Sequence, residues 1–204
     1  MKNFKIILIP IGILCLGFFL YSIWQKNSAL PVREIPILGD SGHVVKSFSF
    51  INQDGKVFTQ NDVKEKVYIV EYFFTTCQSI CVPMGQNMMK VDSAFKDRND
   101  VMILSHTVDP ETDSVPQLKA YADAHHASKN WIFLTGTRDD LYTTATKSYL
   151  LDAPEKVKTP DFFLHTKYFM LVDKQGHLRG DAYDGTDLNK VYKLIDDAKM
   201  LLRD

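Results

Sequence analysis

Cysteine is scarce in this chain of 204 residues: it occurs only three times. Cys15 lies inside a long apolar run near the start, where a cysteine serves as a small apolar residue. Cys77 and Cys81 are therefore the only thiols in the rest of the sequence. A structural disulfide between them would close a span of four residues, which stabilises a fold very little. We therefore expect this pair to serve metal binding, redox chemistry or both.

The chain also lacks an excess of charge of either sign. The chain has 24 basic and 25 acidic side chains, a net charge of −1 and a pI of about 6.6. No basic stripe interrupts this balance, and a nucleic-acid-binding function is therefore disfavoured. The sequence has no internal repeats and no low-complexity segments, and the part after Trp24 has the composition of an ordinary soluble domain.

One long apolar run stands at the start of the chain. Ile6 to Trp24 are nineteen residues without a charge, and as a helix they would span roughly 28 Å, close to the thickness of a bilayer core. The apolar core of a cleavable signal peptide is shorter than this. We therefore expect residues 1–25 to form one transmembrane helix that stays attached, with Lys2 and Lys5 on the inner side and the remainder exported.

Two further segments follow the expected anchor. Residues 26–40 contain two prolines and no periodicity, which predicts a linker, and residues 41–204 form the domain. The N-terminal run is short and lacks the Arg- and Ser-rich character of a mitochondrial transit peptide. We therefore expect a single-pass protein of the bacterial inner membrane with its domain in the periplasm.

The domain alternates strand-like and helix-like segments. Apolar and β-branched runs predict strands, and spacings of three and four residues predict helices. The expected strands cover 43–50, 57–59, 67–74, 101–108, 131–134, 168–172 and 177–180, and the expected helices 83–95, 114–125, 137–148 and 188–202. This order indicates an α/β sandwich of the thioredoxin-like class with an added N-terminal β-hairpin, whose turn is formed by 52–55.

The two thiols lie where the first core strand gives way to its helix. With Cys77 just before the helix and Cys81 in its first turn, an i,i+4 relation places both sulfurs on one face. Unpaired backbone N–H groups and the helix dipole at this end favour the thiolate, which binds soft metals and attacks disulfides. Two thiolates suit Cu(I), but a third ligand is needed for selectivity.

Histidine is the natural third ligand, and the sequence contains six. His165 is the strongest candidate because it immediately precedes the late strand 168–172, and in a thioredoxin-like fold the loop before that strand faces the helix N-terminus. His106 lies late in a core strand and is a weaker candidate. We expect the other four to face solvent: His43, His125, His126 and His177. Met84, Met88 and Met89 have helical spacing, which favours core packing over a methionine copper site.

Several segments together resemble one known family, the Sco/SenC family. The cysteine segment from Tyr72 to Met84 resembles that family's cysteine motif, and Thr107 to Asp113 resembles its "VDPExD" segment. The segment from Phe162 to Thr166 resembles its histidine motif, and Tyr183 to Thr186 its closing loop. The resemblance runs from about residue 41 to the C-terminus.

The resemblance implies a thioredoxin fold, a membrane tether and copper as the bound metal. It implies that Cys77, Cys81 and His165 are the copper ligands, that Cys77 and Cys81 also form a redox disulfide, and that Asp109 is an acidic group near the site. The expected partners are subunit II of cytochrome c oxidase, whose binuclear copper site the family loads or reduces, and a thiol reductant or another copper carrier. Phe73, Phe74, Phe162 and Phe163 would form an apolar wall.

The sequence departs from the family at two places. The family has proline directly after the second cysteine, whereas this chain has Val82 and then Pro83, which reshapes the first helical turn but keeps the ligands. His106 stands where the family strand is apolar, and it leaves open an extra ligand or a proton-sensitive contact.

Other functions use the same residues. A thiol–disulfide oxidoreductase would employ Cys77 as the exposed nucleophile, although such enzymes usually carry CxxC and a facing cis-proline. A copper or redox sensor without transfer activity is a third class. A peroxidase is disfavoured, since the chain lacks a clear Thr-x-x-Cys with a supporting Arg. We expect a metallochaperone without catalytic residues, and thiol–disulfide reductase activity stays open.

Overall fold

The structure of the protein is a computed structural model that describes residues 16–19, 21–22, 34–151 and 166–203. The chain divides into two compact units, Met1–Glu34 and Ile35–Asp204. In the first unit the described residues 16–19 and 21–22 are helical. Within the described ranges, no helix is both long and apolar enough to cross a membrane. Most of the anchor expected over 1–25 and of the linker expected over 26–40 lies outside the described residues.

The second unit begins at Ile35, six residues before the boundary expected at 41. Ile35 is buried, and its carbonyl accepts hydrogen bonds from Nε and Nη2 of Arg179 at 3.2 and 2.8 Å. Ile37 forms an antiparallel bridge with the same arginine. The last residues assigned to the linker therefore belong to the folded domain, because they cover the outer edge of the final strand.

The described part of the second unit contains one sheet of seven strands. Their bounds are β1 Ser49–Asn52, β2 Val57–Thr59, β3 Val67–Phe73, β4 Val101–Thr107, β5 Trp131–Thr135, β6 Tyr168–Val172 and β7 Leu178–Asp184. Their order in the sheet is β2-β1-β5-β4-β3-β6-β7. The strands β3, β4 and β5 run parallel, and every other neighbouring pair is antiparallel.

Four α-helices accompany the strands in this part of the chain: α1 Cys81–Phe95, α2 Val115–Ala124, α3 Arg138–Lys147 and α4 Leu188–Leu201. A short 3₁₀ helix, Gln60–Val63, follows β2. Thr137 starts α3 by accepting a hydrogen bond from the Asp140 N–H, and Asp187 starts α4 in the same way from Asn189. The mixed α/β sandwich predicted from the sequence is confirmed.

Both faces of the sheet are covered by apolar side chains. On one face, alternate side chains of β3 such as Ile69 and Phe73 pack with α1, α2 and α4. On the other face, Tyr68, Val70 and Tyr72 pack with α3 and the N-terminal hairpin. All seven residues of β3 are buried as a result, as expected for a strand covered on both sides.

Two strands differ in length from the prediction by more than one residue. The edge strand expected over 43–50 begins only at Ser49, because the Val45 N–H donates to the Gly176 carbonyl at 2.9 Å instead of extending the hairpin ladder. The last strand continues to Asp184 rather than ending at 180, since Tyr168 at the start of β6 pairs with Asp184. The longer β7 brings the closing loop to the same sheet edge as the start of β6.

The far end of α1 is anchored by a buried amide. The Asn130 side chain donates to the carbonyls of Phe95, Lys96 and Arg98 at 3.0, 3.4 and 2.6 Å. These carbonyls lie at the C-terminus of α1, where a helix leaves its last acceptors unpaired. The contact fixes the end of the helix that is opposite to the cysteines.

We predict that Asn130→Ala lowers the free energy of unfolding by about 1–3 kcal/mol, because it leaves buried carbonyls without a donor. Urea unfolding followed by circular dichroism measures this change. Asn99→Ala is the matched control, since Asn99 is on the surface, where its side chain accepts a hydrogen bond from Lys129; we expect it to stay within about 0.5 kcal/mol of the parent. Equal losses in the two variants would contradict the anchoring role.

Candidate metal centre

The two cysteines lie at the junction between β3 and α1. Cys77 is in the connecting loop, where its N–H donates to the Phe74 carbonyl at 3.2 Å, and Cys81 is the first residue of the helix. Ile80 precedes the helix without a side-chain cap, so the first-turn N–H groups keep their electrostatic attraction for a negative charge. The predicted placement of both thiols is confirmed.

The two thiols are free and differ in environment. Cys81 is buried, whereas Cys77 is half-exposed and its sulfur lies 3.6 Å from the Ser79 hydroxyl. Burial raises the pKa of the Cys81 thiol, and its hydrogen bond to Cys77 raises that pKa further. Partial burial opposes ionisation of Cys77 as well, but hydrogen bonds from Cys81 and Ser79 outweigh it and lower the Cys77 pKa. Cys77 is therefore the thiol that ionises first.

Aromatic side chains surround the pair. Phe73 is buried, Phe74 is partly buried, and both pack in the same apolar cluster as Cys81. The ring of Tyr121 lies 5.0 Å from that of Phe73. An apolar shell of this kind limits the access of water to a bound metal and tunes its potential. Phe162 and Phe163, the other expected members of the wall, lie outside the described residues.

Glu71 is a buried carboxylic acid on the same face of the sheet. It accepts a hydrogen bond of 2.5 Å from Ser105, whose hydroxyl in turn accepts one of 2.7 Å from the indole of Trp131. Burial raises the pKa of Glu71 to about 7, against the smaller opposing effect of the Ser105 bond. Its charge raises the Cys81 pKa in turn. Sequence reasoning missed this residue, although a glutamate inside an apolar strand is a visible signal.

A second buried carboxylate contacts the cysteine loop directly. Asp113 is fully buried and accepts hydrogen bonds from the N–H and hydroxyl of Thr75, two residues before Cys77. Burial raises the Asp113 pKa, and the bonds from Thr107 and Thr75 partly offset that effect. Asp109, the acidic residue singled out by the family resemblance, instead has its carboxylate 3.8 Å from the guanidinium of Arg138. The role of Asp109 near the site stays a prediction.

The structure separates His106 from the thiols. Its register partner on β3 is Tyr72, and its ring stacks on Tyr72 at 4.9 Å among the aromatic rings of the opposite sheet face. The side chain is fully buried, and neither ring nitrogen has a hydrogen-bond partner in the described structure. Burial lowers the His106 pKa to about 3. The extra-ligand hypothesis for His106 is therefore wrong, and the residue is a neutral member of the core.

Three of the other four histidines have structural neighbours, and His126 is exposed. His43 contacts the Ser148 carbonyl at 2.9 Å, His125 contacts the Tyr121 carbonyl at 2.9 Å, and His177 is 3.4 Å from Asp173. Across the described ranges, no group of three His, Cys, Asp or Glu side chains could hold a metal ion. Among the described residues, the site therefore brings together two candidate sulfur ligands, Cys77 and Cys81.

His165, the predicted third ligand, lies outside the described residues, but its successor in the chain is described. Thr166 is buried, and with Lys167 it lines a cavity of about 400 Å³ whose wall also includes Ile80 of the cysteine loop. The Lys167 ammonium bonds Asp184 at 2.6 Å, and the Lys167 carbonyl accepts from the Gly185 N–H at 2.7 Å. The closing loop thus anchors the chain at the cysteine end of the sheet.

The methionines of α1 do not form a second sulfur site. Met84 and Met88 are fully buried in the core, as the helical spacing predicts, whereas Met89 is 38 % exposed and faces away from that core. Pro83 lies in the first turn of α1, and Val82 before it is 50 % exposed beside Cys81. The departure at Val82 therefore adds an exposed apolar side chain next to the site.

Three comparisons with known proteins agree. The model of the SCO1/SenC family matches residues 38–199. A SCO1 protein homolog of Bacillus subtilis is 35% identical over 158 residues, which are 76% of this chain and 81% of that protein. The solved structure of BsSco, described as a member of the Sco family of cytochrome c oxidase assembly proteins with a disulfide switch, has a TM-score of 0.67 and 34% identity, and the match covers 78% of this chain and 93% of that one.

A further solved structure of a similar protein contains copper. Arabidopsis thaliana ScoI with copper bound has a TM-score of 0.59 and 25% identity, over 79% of this chain and 99% of that chain.

The thiol asymmetry predicts which cysteine reacts first. With the reduced protein at pH 7, we expect iodoacetamide to label Cys77 at least about tenfold faster than Cys81, because Cys77 is more exposed and has the lower pKa. Peptide mass spectrometry resolves the two sites over time. Equal labelling rates would contradict the asymmetry.

The raised pKa of Glu71 predicts that the stability of the folded protein depends on pH. Because its folded pKa of about 7 lies above the ordinary 4.5, its stabilising contribution is complete below about pH 4.5 and is lost as the pH rises through 7. The full shift corresponds to about 3 kcal/mol. Glu71→Gln keeps an acceptor for Ser105 but carries no charge, so its stability should lack this pH dependence. The unfolding free energy of the variant minus that of the parent should therefore rise by up to about 3 kcal/mol between pH 4.5 and 8.

Urea unfolding at both pH values measures that difference between the two proteins. Asp92→Asn is the matched control, since Asp92 is also a buried carboxylate that bonds a serine, Ser128. A constant difference between Glu71→Gln and the parent across this pH range would show that Glu71 titrates normally.

Proposed function

This chain belongs to the SCO1/SenC family, and we propose that it is a membrane-tethered copper-binding protein for the assembly of cytochrome c oxidase. In this function it delivers copper to the binuclear copper site of oxidase subunit II or prepares the thiols of that site. The observation that carries the proposal is the pair of free, hydrogen-bonded thiols at the N-terminus of α1. Two sulfur ligands on one helical turn suit a soft metal ion such as Cu(I).

The proposed ligands are Cys77, Cys81 and His165. The first two are supported by their position in the structure. His165 is supported by its neighbour Thr166, which is held at the same sheet edge as Ile80. Two thiolates, a neutral imidazole and Cu(I) sum to a charge of −1, and with Cu(II) the sum is zero. The half-exposed Cys77 is the ligand that meets incoming copper, and Cys81 must release its proton as the metal binds.

The proposed setting is a bacterial inner membrane with the domain in the periplasm. The apolar run from Ile6 to Trp24 supports a single-pass tether. In an oxidising compartment Cys77 and Cys81 pair as a disulfide unless a reductant or a metal keeps them apart. The protein therefore needs a thiol reductant or a copper carrier as a second partner, besides the oxidase.

A thiol–disulfide oxidoreductase is the second candidate, and the thiol asymmetry favours it. A half-exposed thiol with a lowered pKa beside a buried thiol with a raised pKa is the arrangement of an attacking and a resolving cysteine. In the described residues, however, all peptide bonds are trans, so no cis-proline faces the pair there. Both functions use the same reduced state, and copper affinity distinguishes them.

We predict that the reduced protein binds one equivalent of Cu(I) tightly. Cys77→Ser and Cys81→Ser should abolish tight binding, and His165→Ala should weaken it by about tenfold or more, because each removes one ligand. Titration under argon against a chromophoric Cu(I) chelator measures these affinities.

His106→Phe is the matched histidine control, since His106 lies on the opposite sheet face; its affinity should equal that of the parent. A His165→Ala variant that binds as tightly as the parent would refute the three-ligand site. If no form binds copper tightly and the parent rapidly reduces a model disulfide, the protein is a thiol–disulfide oxidoreductase.

A further inference from the structure

Asp113 connects the ends of two parallel strands at the cysteine site. Its Oδ1 accepts a hydrogen bond of 2.5 Å from the Thr75 hydroxyl, and the Thr75 N–H points at both carboxylate oxygens at 3.2 and 3.3 Å. Its Oδ2 accepts a hydrogen bond of 2.5 Å from the Thr107 hydroxyl. We call this set, Asp113 with Thr75 and Thr107, the carboxylate clamp.

The clamp joins two different segments of the chain. Thr107 is the last residue of β4 and pairs with Phe73, the last residue of β3. Thr75 lies beyond the end of β3, in the loop that leads to Cys77, so no ladder partner fixes it. The carboxylate therefore extends the connection between the two strands by two residues into the loop.

Asp113 itself is held firmly. Its N–H donates to the Asp109 carbonyl at 2.8 Å, and the Asp109 N–H donates to the Thr107 hydroxyl at 2.9 Å. The Asp113 side chain has no exposed surface. A buried carboxylate is costly unless several donors satisfy it, and here the N–H and hydroxyl of Thr75 supply part of that compensation. The position of Thr75 is therefore coupled to the burial of Asp113.

We propose that Asp113 is a positioning residue that acts through Thr75 to hold the cysteine loop in the geometry where Cys77 meets Cys81. The effect on copper rests on the proposed function, whereas the effect on the thiols themselves does not. Without the clamp the loop samples more conformations, so the two sulfurs meet less often and the hydrogen bonds that favour the Cys77 thiolate are made for a smaller fraction of the time.

The test compares two substitutions of Thr75 in the full-length protein in detergent micelles. Thr75→Val removes the hydroxyl bond at nearly constant shape, and Thr75→Ser keeps the hydroxyl. We expect Thr75→Val to slow the alkylation of Cys77 at pH 7 by about threefold to tenfold and to shift the reduction potential of the Cys77–Cys81 disulfide, and Thr75→Ser to restore both. Peptide mass spectrometry separates Cys77 from Cys81 and Cys15.

Ser128→Ala is the matched control. The Ser128 hydroxyl also donates a bond of 2.5 Å to a buried carboxylate, that of Asp92, but this pair lies away from the cysteine loop. Its loss should lower stability in urea by an amount similar to that in Thr75→Val and leave the alkylation rate and the potential unchanged. Asp113→Asn, which keeps the size of the side chain, should change the alkylation rate and the potential as Thr75→Val does.

The outcomes distinguish the two proposals. If Thr75→Val and Asp113→Asn lower only stability, as Ser128→Ala does, Asp113 is a structural residue and the positioning role is overturned. If both variants alter the thiol readouts while the parent binds no Cu(I), the positioning role stands and the copper function fails. If the parent binds Cu(I), the clamp variants should also release it about tenfold faster to a chelator.

Discussion

The complete burial of β3 is the constraint on which the site depends. A strand covered on both faces has no freedom to shift its register, because a slip by one residue would exchange its two apolar faces. The end of β3 is therefore fixed, and with it the point at which the chain turns into α1. Cys81 enters the first helical turn and Cys77 stays in the short loop before it, so the fold itself provides a face with two sulfurs.

The surroundings of this junction give the two thiols different environments. Cys77 has access to solvent and polar neighbours, whereas Cys81 lies in the apolar core near the negative charge of Glu71. The buried carboxylic acid is thus part of the electrostatic environment of the two thiols, and the hydrogen bonds of Asp113 connect their loop to the end of β4. A soft cation would relieve the unfavourable charge that a second thiolate creates here. This difference between the two thiols would suit the proposed function, in which copper is bound and released again.

Sequence reasoning succeeded where a local pattern has one physical meaning. The near-continuous apolar run of β3, the spacing of Cys77 and Cys81 and the helical spacing of Met84 and Met88 all predict what the structure contains. It missed contacts between distant segments: the packing of Ile35 and Ile37 against Arg179, and the contact of Asp113 with Thr75. Asp109 and Asp113 belong to one short segment, and the tertiary position of Thr75 shows that Asp113 contacts the loop. His106 is a similar case, because periodicity places it on a strand but strand pairing decides its face.

The anchoring of α1 by Asn130 has a consequence for recognition by partners. Because the helix is pinned at its far end and packed along its length, a change in the state of the two thiols would be taken up by the seven residues 74–80 between β3 and α1 rather than by the helix itself. The surface formed by this loop and the exposed Val82 would then reflect the state of the thiols. A partner that contacts this small surface would distinguish these states without any movement of α1.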